Sequence, residues 1–281
     1  MKVLVTGAKG MLGTDMVDVL SGEHRVIGVD IGEVDITDAR ATETLIFEAE
    51  PQIVVHTAAY TDVDGCESNI RHAYRVNAIG TRNIALACRK VGAAMLYVST
   101  DFVFDGVKRE PYLERDRPNP LNVYGFSKYA GEQFVASLLA EHYIIRTAWL
   151  YGENGKNFVT TMMRLADEQG KLKVVDDQFG SPTYTVDVAL AVARLIATGK
   201  YGIYHMVNTG QVSWCGFARK VLELSGRHRV PVKPISSEQL SRPAIRPAYS
   251  VLQNSALELT IGVTIRLWET ALEDFIGNRA V

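Results

Sequence analysis

Tyr124 and Lys128 stand four residues apart. On a helix that spacing puts both side chains on one face, where the ammonium can lie near the phenol oxygen and stabilise its ionised form. A phenol so placed is a proton donor for a carbonyl oxygen. Ser99-Thr100-Asp101 lies upstream and offers a hydroxyl to stand beside it. Such a pair also arises by chance in a chain with 12 tyrosines, so the chemistry needs a cofactor loop and a substrate pocket from elsewhere in the sequence.

The elements that must position these residues read as parallel βαβ units, because short apolar runs alternate with helix-length segments. The spacing predicts strands at residues 3–6, 25–30, 53–56, 94–99 and 143–146, with helices over 11–20, 40–50, 70–91 and 124–140. The strands are almost wholly apolar, as strands covered by helices on both faces must be. The fold class is therefore α/β, a Rossmann-type doubly wound parallel sheet. Beyond residue 150 the alternation gives way to Gly-, Pro- and Ser-rich loops, with helices over 158–168, 185–198, 215–225 and 268–276. Residues 1–150 read as the dinucleotide-binding Rossmann domain. Residues 151–281 read mainly as a smaller substrate-binding region, with some segments returning to the sheet.

Gly7-Ala-Lys-Gly10-Met11-Leu12-Gly13 follows the first strand and opens the first helix, the position of a dinucleotide phosphate loop. Gly7 and Gly10 allow a sharp turn and close approach to a pyrophosphate, helix amides can hold its oxygens, and Gly13 lets helix pack on strand. Asp30 ends the second strand about 20 residues on, where a carboxylate accepts from an adenosine ribose. Asp30 favours NAD over NADP, although Lys9 or Arg40 could reach a 2′-phosphate. Asp35, Ile36, Ala58, Ala59 and Tyr60 follow the second and third strands and should border the cofactor, since ligands collect at the carboxyl ends of parallel strands. Asn77 either reaches the site or pairs with buried backbone.

A net charge of -2 supplies no basic field for nucleic acid. Cys66, Cys88 and Cys215 are odd in number and far apart, which suggests neither disulfides nor zinc and fits a reducing cytoplasm. The apolar start before Gly7 is too short for a signal-peptide core, and the longest later apolar stretch is interrupted by Asp187 and Arg194, so no membrane span is expected. His56 and His205 look like core or strand-end residues without metal spacing, and no metal site is assigned.

The glycine loop, Ser99-Thr100-Asp101 and Tyr124-x-x-x-Lys128 occur in the order that resembles the extended short-chain dehydrogenase/reductases. Further stretches sharpen the likeness over nearly the whole chain: 56–64, 98–104, 120–125, 146–151, Asn157-Phe158, 177–183 and 246–252. They are similar to the branch of that family that acts on nucleotide-linked 4-keto-6-deoxysugars. The resemblance implies an NADH- or NADPH-dependent reductase that converts dTDP-4-dehydro-β-L-rhamnose to dTDP-β-L-rhamnose, acting as a monomer or homodimer.

It further implies that Tyr124 donates the proton, that Lys128 tunes Tyr124 and holds the nicotinamide ribose, and that Thr100 hydrogen-bonds the ketone, with Ser99 and Asp101 in support. Ser99, Tyr124 and Lys128 would also touch the cofactor. Thr61, Val63, Phe102, Trp149, Asn157 and Arg246 would meet the substrate, Trp149 by stacking and Arg246 at the diphosphate, with Arg242 a nearby competitor. Phe102 departs from the family, which usually has tyrosine there. That change leaves open a different nucleotide-linked 4-keto-6-deoxysugar. A non-catalytic regulator resembling the regulatory subunit of methionine adenosyltransferase is a second alternative.

Overall fold

The computed structural model describes residues 1–278. The chain first lays down β1 (Lys2–Thr6), α1 (Met11–Ser21), β2 (Arg25–Val29), α2 (Ala39–Ala49), β3 (Ile53–His56), α3 (Val63–Ser68), α4 (Ile70–Tyr74), α5 (Thr81–Val91), β4 (Ala94–Thr100), α6 (Val123–Leu138) and β5 (His142–Thr147). It continues with β6 (Leu150–Tyr151), α7 (Phe158–Gln169), β7 (Leu172–Val175), β8 (Phe179–Gly180), β9 (Thr183–Tyr184), α8 (Thr185–Ile196) and β10 (Gly202–His205). The last elements are β11 (Val212–Ser213), α9 (Trp214–Leu224), β12 (Val232–Ile235), α10 (Ser237–Leu240), α11 (Ser255–Ile261) and α12 (Trp268–Asn278).

Six strands form one parallel sheet in the order β10-β5-β4-β3-β1-β2. Alternate residues of each strand point to opposite faces, and both faces are apolar. Val3 and Val5 of β1 join Met16 and Leu20 of α1 and Val188, Val192 and Leu195 of α8. Leu4 between them joins Ile46 of α2 and Ile84 and Cys88 of α5 on the other side. Each such side chain contributes about 1.5–3 kcal/mol when fully buried. β10 pairs with β5, so residues from the second half complete the sheet. A separate cluster, with Tyr151, Phe217, Trp268 and Phe275 at its centre, gathers α7, α9 and α12.

The span expected as one helix over residues 70–91 is helical throughout, but Arg75–Gly80 winds as a π-turn between α4 and α5. Apolar periodicity cannot reveal such a turn, which is common at functional sites. Here it holds Asn77, whose Oδ1 accepts from the Tyr60 backbone N–H at 2.8 Å and whose Nδ2 donates to the Tyr60 carbonyl at 3.1 Å. Asn77 therefore fixes the loop after β3. His56 and His205 are fully buried, and burial pushes both down to about 3, so they are neutral core residues. The three cysteines are buried and free. Among the described residues no helix is long and apolar enough to cross a membrane, and no cluster of His, Cys, Asp and Glu is arranged to hold a metal.

Candidate active site

The carboxyl ends of β1, β3, β4 and β5 open onto a cavity of about 950 Å³. It lies where the strand order reverses between β1 and β3, the point at which an open α/β sheet leaves a crevice. Gly7 has φ +75°, and a Cβ there would come within 2.6 Å of the Ala58 nitrogen. A Cβ on Gly13 would lie 2.0 Å from the Gly7 carbonyl. Gly10 precedes α1 without a side-chain cap, which leaves the first helix amides to a ligand anion. The loop therefore fits a dinucleotide pyrophosphate. Gly13→Ala should weaken NADPH binding at least tenfold by fluorescence titration, because α1 must move off the loop. Gly32→Ala, with nothing within 4 Å of the added carbon, should leave binding unchanged.

Asp30 lies at the far end of the cavity. Its carboxylate accepts from the Lys9 backbone N–H at 2.9 Å and the Ile31 N–H at 2.8 Å. The Lys9 ammonium stands at the same rim, paired with Glu33. The rim beside Asp30 thus carries two carboxylates and one ammonium, the latter paired with Glu33. Arg40 lies in the first turn of α2 and is not part of the cavity wall.

At the other end Thr100, Tyr124 and Lys128 share the wall. Asn122 caps α6 by accepting from the Gly125 N–H at 2.8 Å, which sets the start of the helix that carries Tyr124 and Lys128. The Phe102 ring meets Tyr124 edge-on, with centroids 5.8 Å apart and planes at 88°. The aromatic wall survives the tyrosine-to-phenylalanine difference, without the hydroxyl. Burial pushes the Tyr124 phenol up, a hydrogen bond from the Thr100 hydroxyl opposes it, and Asp101 and Cys66 add to the rise where they are ionised.

Lys128 departs from expectation. Its ammonium donates to the Val98 carbonyl at 2.7 Å and lies 4.2 Å from the centroid of the Tyr97 ring. Burial pushes it down to about 7, and Glu132 one turn along α6 pulls it back up. In the free protein it is this carbonyl and ring, rather than the Tyr124 oxygen, that hold the ammonium. Ser99 likewise turns inward and donates to Glu132 at 2.6 Å.

The cavity brings together Gly7, Gly10, Met11, Leu12, Gly13, Asp30, Asp35, Ile36, Ala58, Ala59, Tyr60, Thr61, Val63, Ser99, Thr100, Phe102, Tyr124, Lys128, Trp149 and Arg246. Asn157 is outside it. Its side chain caps α7, accepting from the Thr160 N–H and donating to the Gly152 carbonyl. Arg246 reaches the wall, but its guanidinium donates to Asp64 at 2.9 Å, while Arg242 takes the other Asp64 oxygen at 3.0 Å. Both bonds of Arg246 come from Nη1, so the Nε and Nη2 donors are left for a diphosphate beside Asp64.

Trp149 has φ 49° and stacks on Trp214, centroids 3.4 Å apart and planes at 6°, so the platform presented is an indole pair rather than a free face. Trp214 was not foreseen, since nothing in its spacing links it to Trp149. Thr147 was also missed. It ends β5 in register with Thr100, and its buried hydroxyl lines the cavity without a partner among the described residues. Its place in the Arg146-Thr-Ala-Trp149 stretch was the available signal.

A doubly wound parallel sheet, a bare glycine loop at its switch point and a hydroxyl, phenol and ammonium at the strand ends define an oxidoreductase of the Rossmann type. Within that class, the chain belongs to the family described as the RmlD substrate binding domain, whose model matches residues 1–280. It is 43% identical over 278 residues to a dTDP-4-dehydrorhamnose reductase of Streptomyces griseus, covering 96% of this chain and 91% of that one. The solved structure of a dTDP-4-dehydrorhamnose reductase from Clostridium acetobutylicum matches with a TM-score of 0.97 and 44% identity, covering 100% of both chains. Another from Bacillus anthracis, in complex with NADP, matches with a TM-score of 0.96 and 44% identity over 99% of each chain.

Proposed function

We propose that the protein reduces dTDP-4-dehydro-β-L-rhamnose to dTDP-β-L-rhamnose with NADH or NADPH. The observation that carries this reading is that Thr100, Tyr124 and Lys128 line the same cavity as the glycine loop. The likeness to reductases over almost the full chain supports the choice of substrate. The same grouping counts against a purely regulatory role.

When bound, the reduced nicotinamide dinucleotide supplies the hydride. Gly7 to Gly13 would hold its pyrophosphate, Asp30 and Lys9 its adenosine end, and Lys128 its nicotinamide ribose, with the Ser99 oxygen, whose proton goes to Glu132, as an acceptor. Thr100 hydrogen-bonds the ketone oxygen as negative charge develops on it, a contribution typically worth a few kcal/mol. Tyr124 delivers the proton to that oxygen. Phe102, Thr61, Val63 and the Trp149–Trp214 pair enclose the sugar nucleotide, and Arg246 offers its remaining guanidinium donors to the diphosphate.

Residues 1–150 serve the cofactor and residues 151–281 mainly the substrate, with β10 and α8 returning to the sheet. Three buried free thiols support a reducing cytoplasm as the working compartment, with the protein a monomer or homodimer. The test supplies dTDP-4-dehydro-β-L-rhamnose with NADH or NADPH, follows loss of the reduced-nicotinamide absorbance and identifies the sugar product. Turnover to dTDP-β-L-rhamnose is expected, and failure with both cofactors rejects the assignment.

A further inference from the structure

A hydroxyl carries one proton, and Thr100 already has a use for it. Its Oγ contacts Asp101 Oδ1 at 3.0 Å, accepts from the Phe102 backbone N–H at 3.2 Å, and also stands within hydrogen-bond reach of the Tyr124 phenol on the cavity side. If Asp101 is a carboxylate, an oxygen that can only accept, the Thr100 proton must point at Asp101. Thr100 then has nothing to donate to a ketone. If Asp101 is a carboxylic acid, the same contact runs the other way: the acid donates to Thr100 Oγ, and the Thr100 proton turns into the cavity, toward the Tyr124 oxygen or a ketone oxygen placed beside it.

The second oxygen of Asp101 decides where the acid proton sits. Ser250, buried and reached from the C-terminal half, donates its hydroxyl to Asp101 Oδ2 at 2.5 Å. That oxygen is thereby kept as the acceptor, which leaves Oδ1, the one facing Thr100, to carry the proton. We propose that Asp101 is a positioning residue for the reduction, acting in its acid form as the hydrogen-bond donor that turns the Thr100 proton toward the ketone oxygen. This rests on Thr100 being the hydroxyl that binds that oxygen.

The surroundings favour the acid. Asp101 is 4% exposed and pairs with no cation among the described residues. Burial raises its carboxyl to about 6, opposed only by hydrogen bonds from Ser250, Thr100 and backbone amides. The titratable groups near it are Tyr124 on α6 and, beyond that, Cys66 on α3. Lys128 and Arg246 stand in the same cavity wall but are held by the Val98 carbonyl and by Asp64. A ligand that expels water from the cavity raises the carboxyl further, because burial disfavours the charged form.

Asp101→Asn separates this role from simple packing. The amide NH₂ can only donate, so with Ser250 holding the amide oxygen it presents a permanent donor to Thr100. Asp101→Ala presents none. With dTDP-4-dehydro-β-L-rhamnose and NADPH, kcat of D101N should lie within about threefold of wild type at pH 5, and kcat of D101A should be down at least tenfold with KM little changed. The ratio of D101N to wild-type kcat should rise about tenfold between pH 5 and pH 8, as the wild-type acid ionises. The ratio cancels any pH effect the two proteins share, such as ionisation of Lys128.

A carboxyl-carbon NMR titration of the ligand-free protein, assigned by the signal missing in D101N, should give a midpoint near 6. D101N as impaired as D101A, a ratio flat with pH, or a midpoint below 4 each overturns the proposal. Thr100→Val should lose at least tenfold in kcat; full activity there removes the proposal's foundation while wild-type turnover still upholds the reaction itself.

Discussion

Tyr124→Phe should lower kcat about 10²- to 10⁴-fold, the usual range for a positioned general acid, with little change in the NADPH dissociation constant or the unfolding midpoint. The substitution removes one oxygen. The ring keeps its edge-on contact with Phe102, and the hydroxyl is not what holds α6, whose start is fixed by Asn122. Because burial raises the phenol, Tyr124 stays protonated throughout the neutral range. Its ionisation therefore causes no loss of activity below the ordinary tyrosine range, and any fall between pH 6 and 8 has to come from another group. Steady-state rates from pH 5 to 9, with cofactor binding measured separately by fluorescence titration, check both points. Near-normal kcat in the variant would remove Tyr124 from the mechanism.

The sheet and the cofactor loop were legible because their causes are local. Runs such as Ile53-Val-Val-His56 have one reading when a proline and a helix-length segment flank them, and a glycine is demanded wherever a Cβ would meet backbone, as at Gly7 and Gly13. Contacts between distant segments were not legible. Lys128 was expected at Tyr124 because helix spacing gives the face of a side chain. Its actual partner, the Val98 carbonyl, depends on how α6 lies on β4. Arg246 was foreseen in the pocket, but its tie to Asp64 joins residues 182 apart. Asn157 lies outside the cavity for a related reason: a residue within a recognisable motif can serve the helix it begins, and only the capping geometry reveals that.

The buried pair beneath the site gives the second large effect. Glu132 and Arg146 are 1% and 2% exposed, with Nη2 and Oε2 2.7 Å apart and Nε donating to Oε1 at 3.0 Å. The guanidinium also lies 5.2 Å from the Phe104 ring centroid. Removing one partner leaves the other charge in a place water cannot reach, so Glu132→Leu should cost about 3–5 kcal/mol of unfolding free energy, read by urea denaturation. Glu132→Leu combined with Arg146→Met should recover most of that, because neither charge is then left behind. A double variant as unstable as the single one would show that packing rather than charge is at stake. The site feels the same change. Glu132 is the group that pulls Lys128 up against burial, and Ser99 bonds to it. Without Glu132 that upward pull is gone, and the lysine falls below about 7 and loses charge at physiological pH relative to wild type. In the recovered double variant, folding is restored but that charge is not, so NADPH affinity at pH 7.5 should remain at least several-fold weaker than wild type and improve as the pH is lowered toward 6. Stability and cofactor binding would then part company in one protein, as they must if Glu132 serves Arg146 for the fold and Lys128 for the chemistry.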